Sequence, residues 1–190
     1  MLLPRTKQKL SVEEYEALID SGVLTENDRV ELIDGEIVDK MTIGKAHASC
    51  VARLHRIFVQ RLGAQKLVFS QSPVELSGSL PEPDLLVLRN DPGEYATARP
   101  QPEDVLLLIE VADTSLEFDR DEKLSLYAAD GIREYWIVNL RDNQLEVFWD
   151  PDRKVGRYRN SCVMRPCDRV VPTCLPELEW DVAEMFLVRN

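Results

Sequence analysis

The stretch Val105–Ala112, Val-Leu-Leu-Leu-Ile-Glu-Val-Ala, constrains this chain more than any other. An unbroken apolar run of this length, rich in leucine and β-branched residues, reads as a strand. Apolar side chains on both of its faces mean that both faces are covered. In strand geometry Leu106, Leu108, Glu110 and Ala112 share one face, and Val105, Leu107, Ile109 and Val111 share the other. Glu110 therefore places a carboxylate in an apolar interior, near the C-terminal end of a central strand, where ligands of open α/β sheets lie. Such a group is normally paired or binds metal, because stranding it alone costs on the order of several kcal/mol. A buried ion pair with Lys123 or an arginine is the ordinary structural reading; a site residue is the functional one.

The other elements agree with a covered sheet. Ser11 caps a helix over Val12–Asp20, with Glu14 completing a capping box and Gly22 ending it. Residues 29–38 read as a hairpin around the tight turn Asp34-Gly35. A helix follows over Lys45–Leu62, with Val51, Leu54, Phe58 and Leu62 on one face. Strands are expected at 66–76, 84–88 and Val105–Ala112, then a helix over 118–130 with Leu124, Tyr127 and Ala128 inward and Gly131 as its stop. Two more strands, Glu134–Asn139 and 145–149, flank an Arg-Asp-Asn turn. The tail from Arg157 suggests short strands and a brief amphipathic segment at 182–188. Strands alternating with helices indicate an α/β fold.

The chain has 190 residues and 44% hydrophobic content, enough for one domain with a real core. No run of about 18 apolar residues is present, and residues 1–9 lack an apolar segment of signal-peptide length, so a cytoplasmic protein is expected. The formal net charge of −11 counts against a nucleic-acid coat protein, since duplex binding rests largely on Lys and Arg. It does not exclude an enzyme that holds metal ions over one phosphate. Cys162, Cys167 and Cys174 lack the paired spacing of structural zinc sites and have no nearby histidine, so ordinary thiols are expected.

Asp84 follows Pro83 and leads into Leu85-Leu86-Val87-Leu88. Alone it is turn chemistry or a local cap. Beside a second carboxylate on a neighbouring strand, it could share a hard cation such as Mg²⁺, which takes one or two carboxylates and completes its shell with water and phosphate. Lys123 lies four residues after Asp119, a spacing that suits a surface salt bridge. Its ammonium could equally orient or deprotonate an attacking water, or offset charge on a pentavalent phosphorus. Glu31, in the hairpin, has a solvated face as its ordinary explanation. His47 shares a stripe with Val51 and Leu54 and reads as a core or boundary histidine, although it could also reach a scissile phosphate. No Gly-rich phosphate loop, Ser-His-Asp signature or Cys-x-x-Cys pair competes with this set.

Pro83-Asp84, then Glu110-Val111-Ala112, then Lys123 resembles the PD-(D/E)XK nuclease superfamily, with one departure. That pattern places the lysine two residues after the second acid, where this chain has Ala112. In some branches the lysine has moved to the following helix, and Lys123 matches that variant. The wider chain, about residues 10–188, resembles the Uma-type restriction endonuclease family. The similarity runs through the 30–38 hairpin, His47, Pro83-Asp84, residues 108–115, the stretch from Asp119 through Lys123 to Tyr127, and residues 131–138.

The resemblance implies a single nuclease-like domain over 1–190 with a restriction-endonuclease-like core, a central mixed β-sheet flanked by α-helices. It implies Asp84 and Glu110 as metal ligands, Lys123 as catalytic lysine and Glu31 as an accessory acid. The corresponding cofactor is Mg²⁺, with Mn²⁺ as an alternative, and the substrate DNA. Trp149, Phe148 and the apolar C-terminal segments, together with the two-fold pairing common among duplex cutters, lead to an expected homodimer. Two other readings stay open: a catalytically silent nuclease fold acting as a binding or regulatory module, and a metal-dependent hydrolase of small phosphates.

Overall fold

The computed structural model describes residues 9–25 and 27–186. The N-terminal residues 1–8 and residues 187–188 of the expected terminal segment lie outside the described residues. Helix α1 (Val12–Asp20) begins at Ser11, whose hydroxyl accepts from the Glu14 N–H at 3.2 Å while the Glu14 carboxylate accepts from the Ser11 N–H at 2.9 Å. Strands β1 (Val30–Ile33) and β2 (Glu36–Asp39) form the hairpin. Its two turn residues, Asp34 and Gly35, have φ of 47° and 72°, the left-handed pair that matches strand twist. Helix α2 (Lys45–Leu62) follows.

The main sheet has six strands in the order β3 (Lys66–Phe69), β4 (Leu85–Arg89), β5 (Val105–Ala112), β6 (Glu134–Asn139), β7 (Gln144–Asp152), β8 (Arg157–Met164). β5 and β6 pair in parallel and the other neighbours antiparallel. The parallel pair requires a crossover. It is supplied by a helical segment of α3 (Leu116–Phe118), a π-helical turn (Asp119–Lys123) and α4 (Leu124–Asp130), which Gly131 ends at φ 85°. Two short strands, β9 (Arg169–Val170) and β10 (Trp180–Asp181), pair with each other near the C-terminus.

Each face of the sheet has its own core. Val51, Leu54 and Phe58 of α2 pack on Val87, Leu107, Ile109 and Val111, joined by Trp136 and Trp180. Leu116 and Tyr127 of the crossover pack on Leu86, Leu88, Leu108 and Ala112 from the other side. The alternation expected for β5 holds from Leu107 onward and fails before it: Val105 lies in the crossover core and Leu106 in the α2 core. The cause is a β-bulge, with Val87 opposite Leu107 but Leu88 opposite Val105, which turns the strand over by one residue.

Other expectations are corrected. The strand expected at 66–76 ends at Phe69, because Gln71 takes φ 50° and Pro73 cannot donate to a ladder. The helix expected at 118–130 starts at Leu116 and is interrupted by the π turn. The tail carries one long edge strand, β8, before its short ones. Phe148 stacks on Tyr135 with centroids 5.9 Å apart and lies 6.2 Å from Tyr158, while Trp149 packs on the α2 core. Both rings thus find partners within their own chain. Among the described residues, no helix is long and apolar enough to cross a membrane.

Gly35 is where the hairpin meets α1. The Leu10 N–H donates to its carbonyl at 2.9 Å, and a Cβ there would stand 2.6 Å from the Lys9 Cβ. Gly35→Ala combines this clash with positive φ and is expected to lower unfolding free energy by more than about 1 kcal/mol, measured by chemical denaturation. A wild-type midpoint in that variant would show that the hairpin is not anchored at this turn.

Candidate active site

Pro81 and Pro83 hold the residues before them extended and deliver Asp84 to the start of β4. Because β4 runs antiparallel to β5, with Leu85 opposite Ile109, Asp84 arrives beside Glu110 at the C-terminal end of β5. Backbone donors on the two strands cross-link this corner. The Asp84 N–H donates to Glu110 Oε2 at 3.3 Å, and the Val111 N–H donates to Asp84 Oδ2 at 2.8 Å.

Lys123 enters the same site from the π turn. Its Nζ donates to Glu110 Oε1 at 2.9 Å, lies 3.4 Å from Glu31 Oε1 and stands 5.9 Å over the Phe118 ring. The surface pair with Asp119 does not form. Lys123 is 7% exposed and Asp119 2%, and the Asp119 carboxylate accepts instead from the Ser115 hydroxyl at 2.6 Å. Nor does Glu31 sit on a solvated hairpin face: it is 4% exposed and accepts from the Glu82 N–H at 3.1 Å. The hairpin leans on the 80–84 segment, with the Leu80 N–H donating to the Leu32 carbonyl at 2.8 Å, and this turns Glu31 inward. The structure therefore brings Asp84, Glu110, Lys123 and Glu31 together.

Three further residues belong to the site, of which sequence reasoning offered only His47, as an alternative to a core or boundary role. The Tyr127 hydroxyl donates to Glu110 Oε1 at 2.8 Å; its position one turn after Lys123 was the available signal, and it read equally well as core. His47 Nε2 lies 3.0 Å from Asp84 Oδ2. Asp119 was visible only as a partner for Lys123. A fourth feature holds the turn in place: Arg120 donates through Nε and Nη2 to Glu146 at 2.9 and 2.7 Å, and Asn139 and Gln144 also donate to that carboxylate. This clamp fixes the π turn against β6 and β7. Single π turns inside helices occur frequently at functional sites.

Glu31, His47, Asp84, Glu110, Asp119 and Lys123 line a cleft of about 540 Å³ bounded by α1, the hairpin, the start of α2 and the crossover. Burial pushes the Glu110 carboxyl up to about 8; Lys123 opposes this, and the neighbouring Asp84 and Asp119 reinforce it. Burial likewise raises Asp119 to about 6, against the pull of Lys123 and the Ser115 hydroxyl. For Lys123, burial disfavours the charge, but Glu110, Glu31 and Asp119 outweigh it and hold the ammonium above its ordinary pKa. For His47, burial disfavours the charge, but Asp84 together with Asp119 and Asp113 outweighs it and the imidazole is raised. Among the described residues, no three or more His, Cys, Asp or Glu side chains form a group that could hold a metal ion by themselves. The cysteines are free thiols, with Cys162 on the edge strand β8, three strands from β5.

A family model, Uma2, described as "Putative restriction endonuclease", matches residues 12–183. A solved structure described as "a putative nuclease belonging to DUF820 from Anabaena variabilis" superposes with a TM-score of 0.72 at 16% identity, covering 93% of this chain and 97% of that one. This likeness shows that the two share a fold. No protein of curated function matches the sequence.

Glu110 yields a pH prediction. Its folded-state pKa of about 8 lies above its ordinary 4.5, so between these values the folded protein holds a proton that the unfolded chain releases. Stability therefore falls as pH rises through that window. Without divalent cations, wild type should lose stability from about pH 4.5 to 8 relative to Glu110→Gln, read from unfolding midpoints at each pH. A difference that stays flat across the window would show that Glu110 is ionised throughout.

Proposed function

The chain belongs to the Uma2 family, and from this premise we propose that it is a divalent-metal-dependent endonuclease hydrolysing phosphodiester bonds in DNA. The observation that carries the reading is the pairing of β4 with β5, in which the Asp84 N–H donates to Glu110 and the Val111 N–H to Asp84; it sets two carboxylates at one end of the sheet with a buried ammonium 2.9 Å from one of them. The donor set fits Mg²⁺, with Mn²⁺ as the alternative. A hard cation of this kind takes one or two carboxylates and keeps water and substrate phosphate in its remaining positions, so no third protein ligand is required. Asp84 and Glu110 would hold it, and when bound it supplies Lewis-acid polarisation of the phosphoryl group and a more acidic water.

The remaining residues act through charge and position. Because its neighbours hold Lys123 protonated, it serves as a fixed positive donor to the phosphoryl oxygens or the attacking water, and not as the base. Glu31, 3.4 Å from that ammonium, orients it as the accessory acid. Tyr127 fixes the Glu110 carboxylate through Oε1, and His47 holds Asp84 through Oδ2.

The internal ion pair favours a second reading, a silent nuclease fold that serves as a binding or regulatory module. Lys123 already occupies Glu110 Oε1 at 2.9 Å without a ligand, and their charges cancel once pH passes the raised pKa of Glu110.

Incubation of plasmid DNA with Mg²⁺ or Mn²⁺ separates the two readings. Wild type is expected to convert supercoiled DNA to nicked or linear forms, and Asp84→Asn and Glu110→Gln to lose cation binding and cleavage together. Lys123→Met should retain cation binding but cut at least about 10²-fold more slowly, measured at a temperature where its melting curve shows it folded. Cation binding with no cleavage of duplex or single-stranded DNA would favour the silent fold. Wild-type cleavage by Lys123→Met would remove the lysine from the mechanism.

A further inference from the structure

The cleft presents Glu31, Asp39, Glu82, Asp84, Glu110 and Asp119. Its cations are already engaged: Lys40 pairs with Glu82, Arg29 donates to the Met41 carbonyl at 3.1 Å, and Lys123 is held by Glu110. Such a surface repels a polyanion, and a bound cation offsets that repulsion at one phosphate only. A nucleic-acid strand that reacts there must draw its affinity from elsewhere, because phosphate neutralisation by Lys and Arg supplies most nonspecific binding.

Helix α2 starts at the rim of the cleft, with Ile43 and His47 in its wall, and runs away from it for 18 residues, about 27 Å. It contains Lys45, Arg53, Arg56 and Arg61 and not one acid, in a chain whose net charge is −11. Lys45 and Arg56 are exposed. Arg53 is half-buried in a groove of about 430 Å³ between α2 and Ala183–Glu184, where its Nε has no hydrogen-bond partner. The acid bordering that groove, Glu184, is taken up by Arg61 through two bonds of 2.8 and 2.7 Å. Lys45, Arg53 and Arg56 make no ion pair among the described residues.

From this charge pattern we infer that the Arg53–Arg56 face of α2 is a phosphate track that holds the nucleic-acid backbone leading out of the cleft. This deepens the endonuclease reading and rests on it. Arg53 and Arg56 stand roughly 9 and 14 Å beyond His47 along the helix axis. They lie about 120° and 180° around the helix from His47, so the strand reaches them by passing over the outer face of α2. The track contributes affinity and direction and leaves the chemistry to the cleft.

The test is binding of a labelled DNA duplex in EDTA, followed by fluorescence anisotropy over a range of salt, with cleavage kinetics in Mg²⁺ alongside. Arg53→Ala/Arg56→Ala should bind at least about tenfold more weakly at low salt. The slope of log K against log salt should drop by about 1.8, near 0.9 for each lost phosphate contact. KM should rise with kcat unchanged, and melting should stay as in wild type. Lys154→Ala/Arg157→Ala, two exposed cations at the far edge of the sheet, should match wild type in every respect. Wild-type affinity and slope in the Arg53/Arg56 variant, with wild type itself binding and cutting, would overturn the track and spare the nuclease reading. A wild-type protein that neither binds nor cuts DNA would overturn both.

Discussion

The buried contact between Glu110 and Lys123, an ion pair once Glu110 is ionised, is the interaction around which the rest of the structure is arranged. A covered strand has no natural place for a carboxylate, and this one is 4% exposed. It persists because three donors serve it: Lys123 and Tyr127 donate to Oε1, and the Asp84 backbone donates to Oε2. Buried pairs of this kind are poor stabilisers, since well-packed apolar residues of similar volume do as well or better. The fold therefore carries this charge at a cost that packing alone does not explain. A cluster of acids around one lysine, open to a cleft, is the arrangement in which ionisable groups tend to be functional.

The geometry of that pair depends on the crossover. Between β5 and β6 the chain must form a helical connection, and Lys123 lies on its π turn. The turn is held from outside by Arg120 on Glu146 and from inside by Ser115 on Asp119 and by the Tyr135 hydroxyl on the Asp119 carbonyl at 3.1 Å. Two strands later in sequence, β6 through Tyr135 and β7 through Glu146, thus help Ser115 to fix one ammonium. The hairpin closes the fourth side through Glu31, which pulls on the same nitrogen. The site behaves as one electrostatic unit: removing any member changes the charge balance felt by the others.

The distribution of charge over the surface follows the same division. Acids gather where the sheet ends open into the cleft, while the helix that forms its rim carries cations alone. A negative overall charge is therefore compatible with an anionic partner, because local potential and not net charge decides where a polyanion can lie.

What the sequence determined by itself was whatever depends on neighbours along the chain. The apolar run of β5 identified a covered central strand, Ser11 and Glu14 marked the start of α1, Asp34-Gly35 specified the hairpin turn, and Gly131 ended the crossover helix. The family resemblance singled out Asp84, Glu110, Lys123 and Glu31 because those positions keep a recognisable order. Tertiary structure alone decided the rest. The β-bulge that moves Val105 and Leu106 to opposite faces arises from pairing with β4, which no local pattern encodes. The burial of Glu31 depends on the hairpin docking against the 80–84 segment. Tyr127 and His47 looked like core residues because a helical stripe reports which way a side chain points but not which polar group waits there. Lys123 and Asp119, four residues apart, had the spacing of a surface pair. A buried pair of Glu110 with Lys123 or an arginine was the other reading the sequence left open, and the packed sheet, by burying the lysine and setting Glu110 nearer than Asp119, chose it.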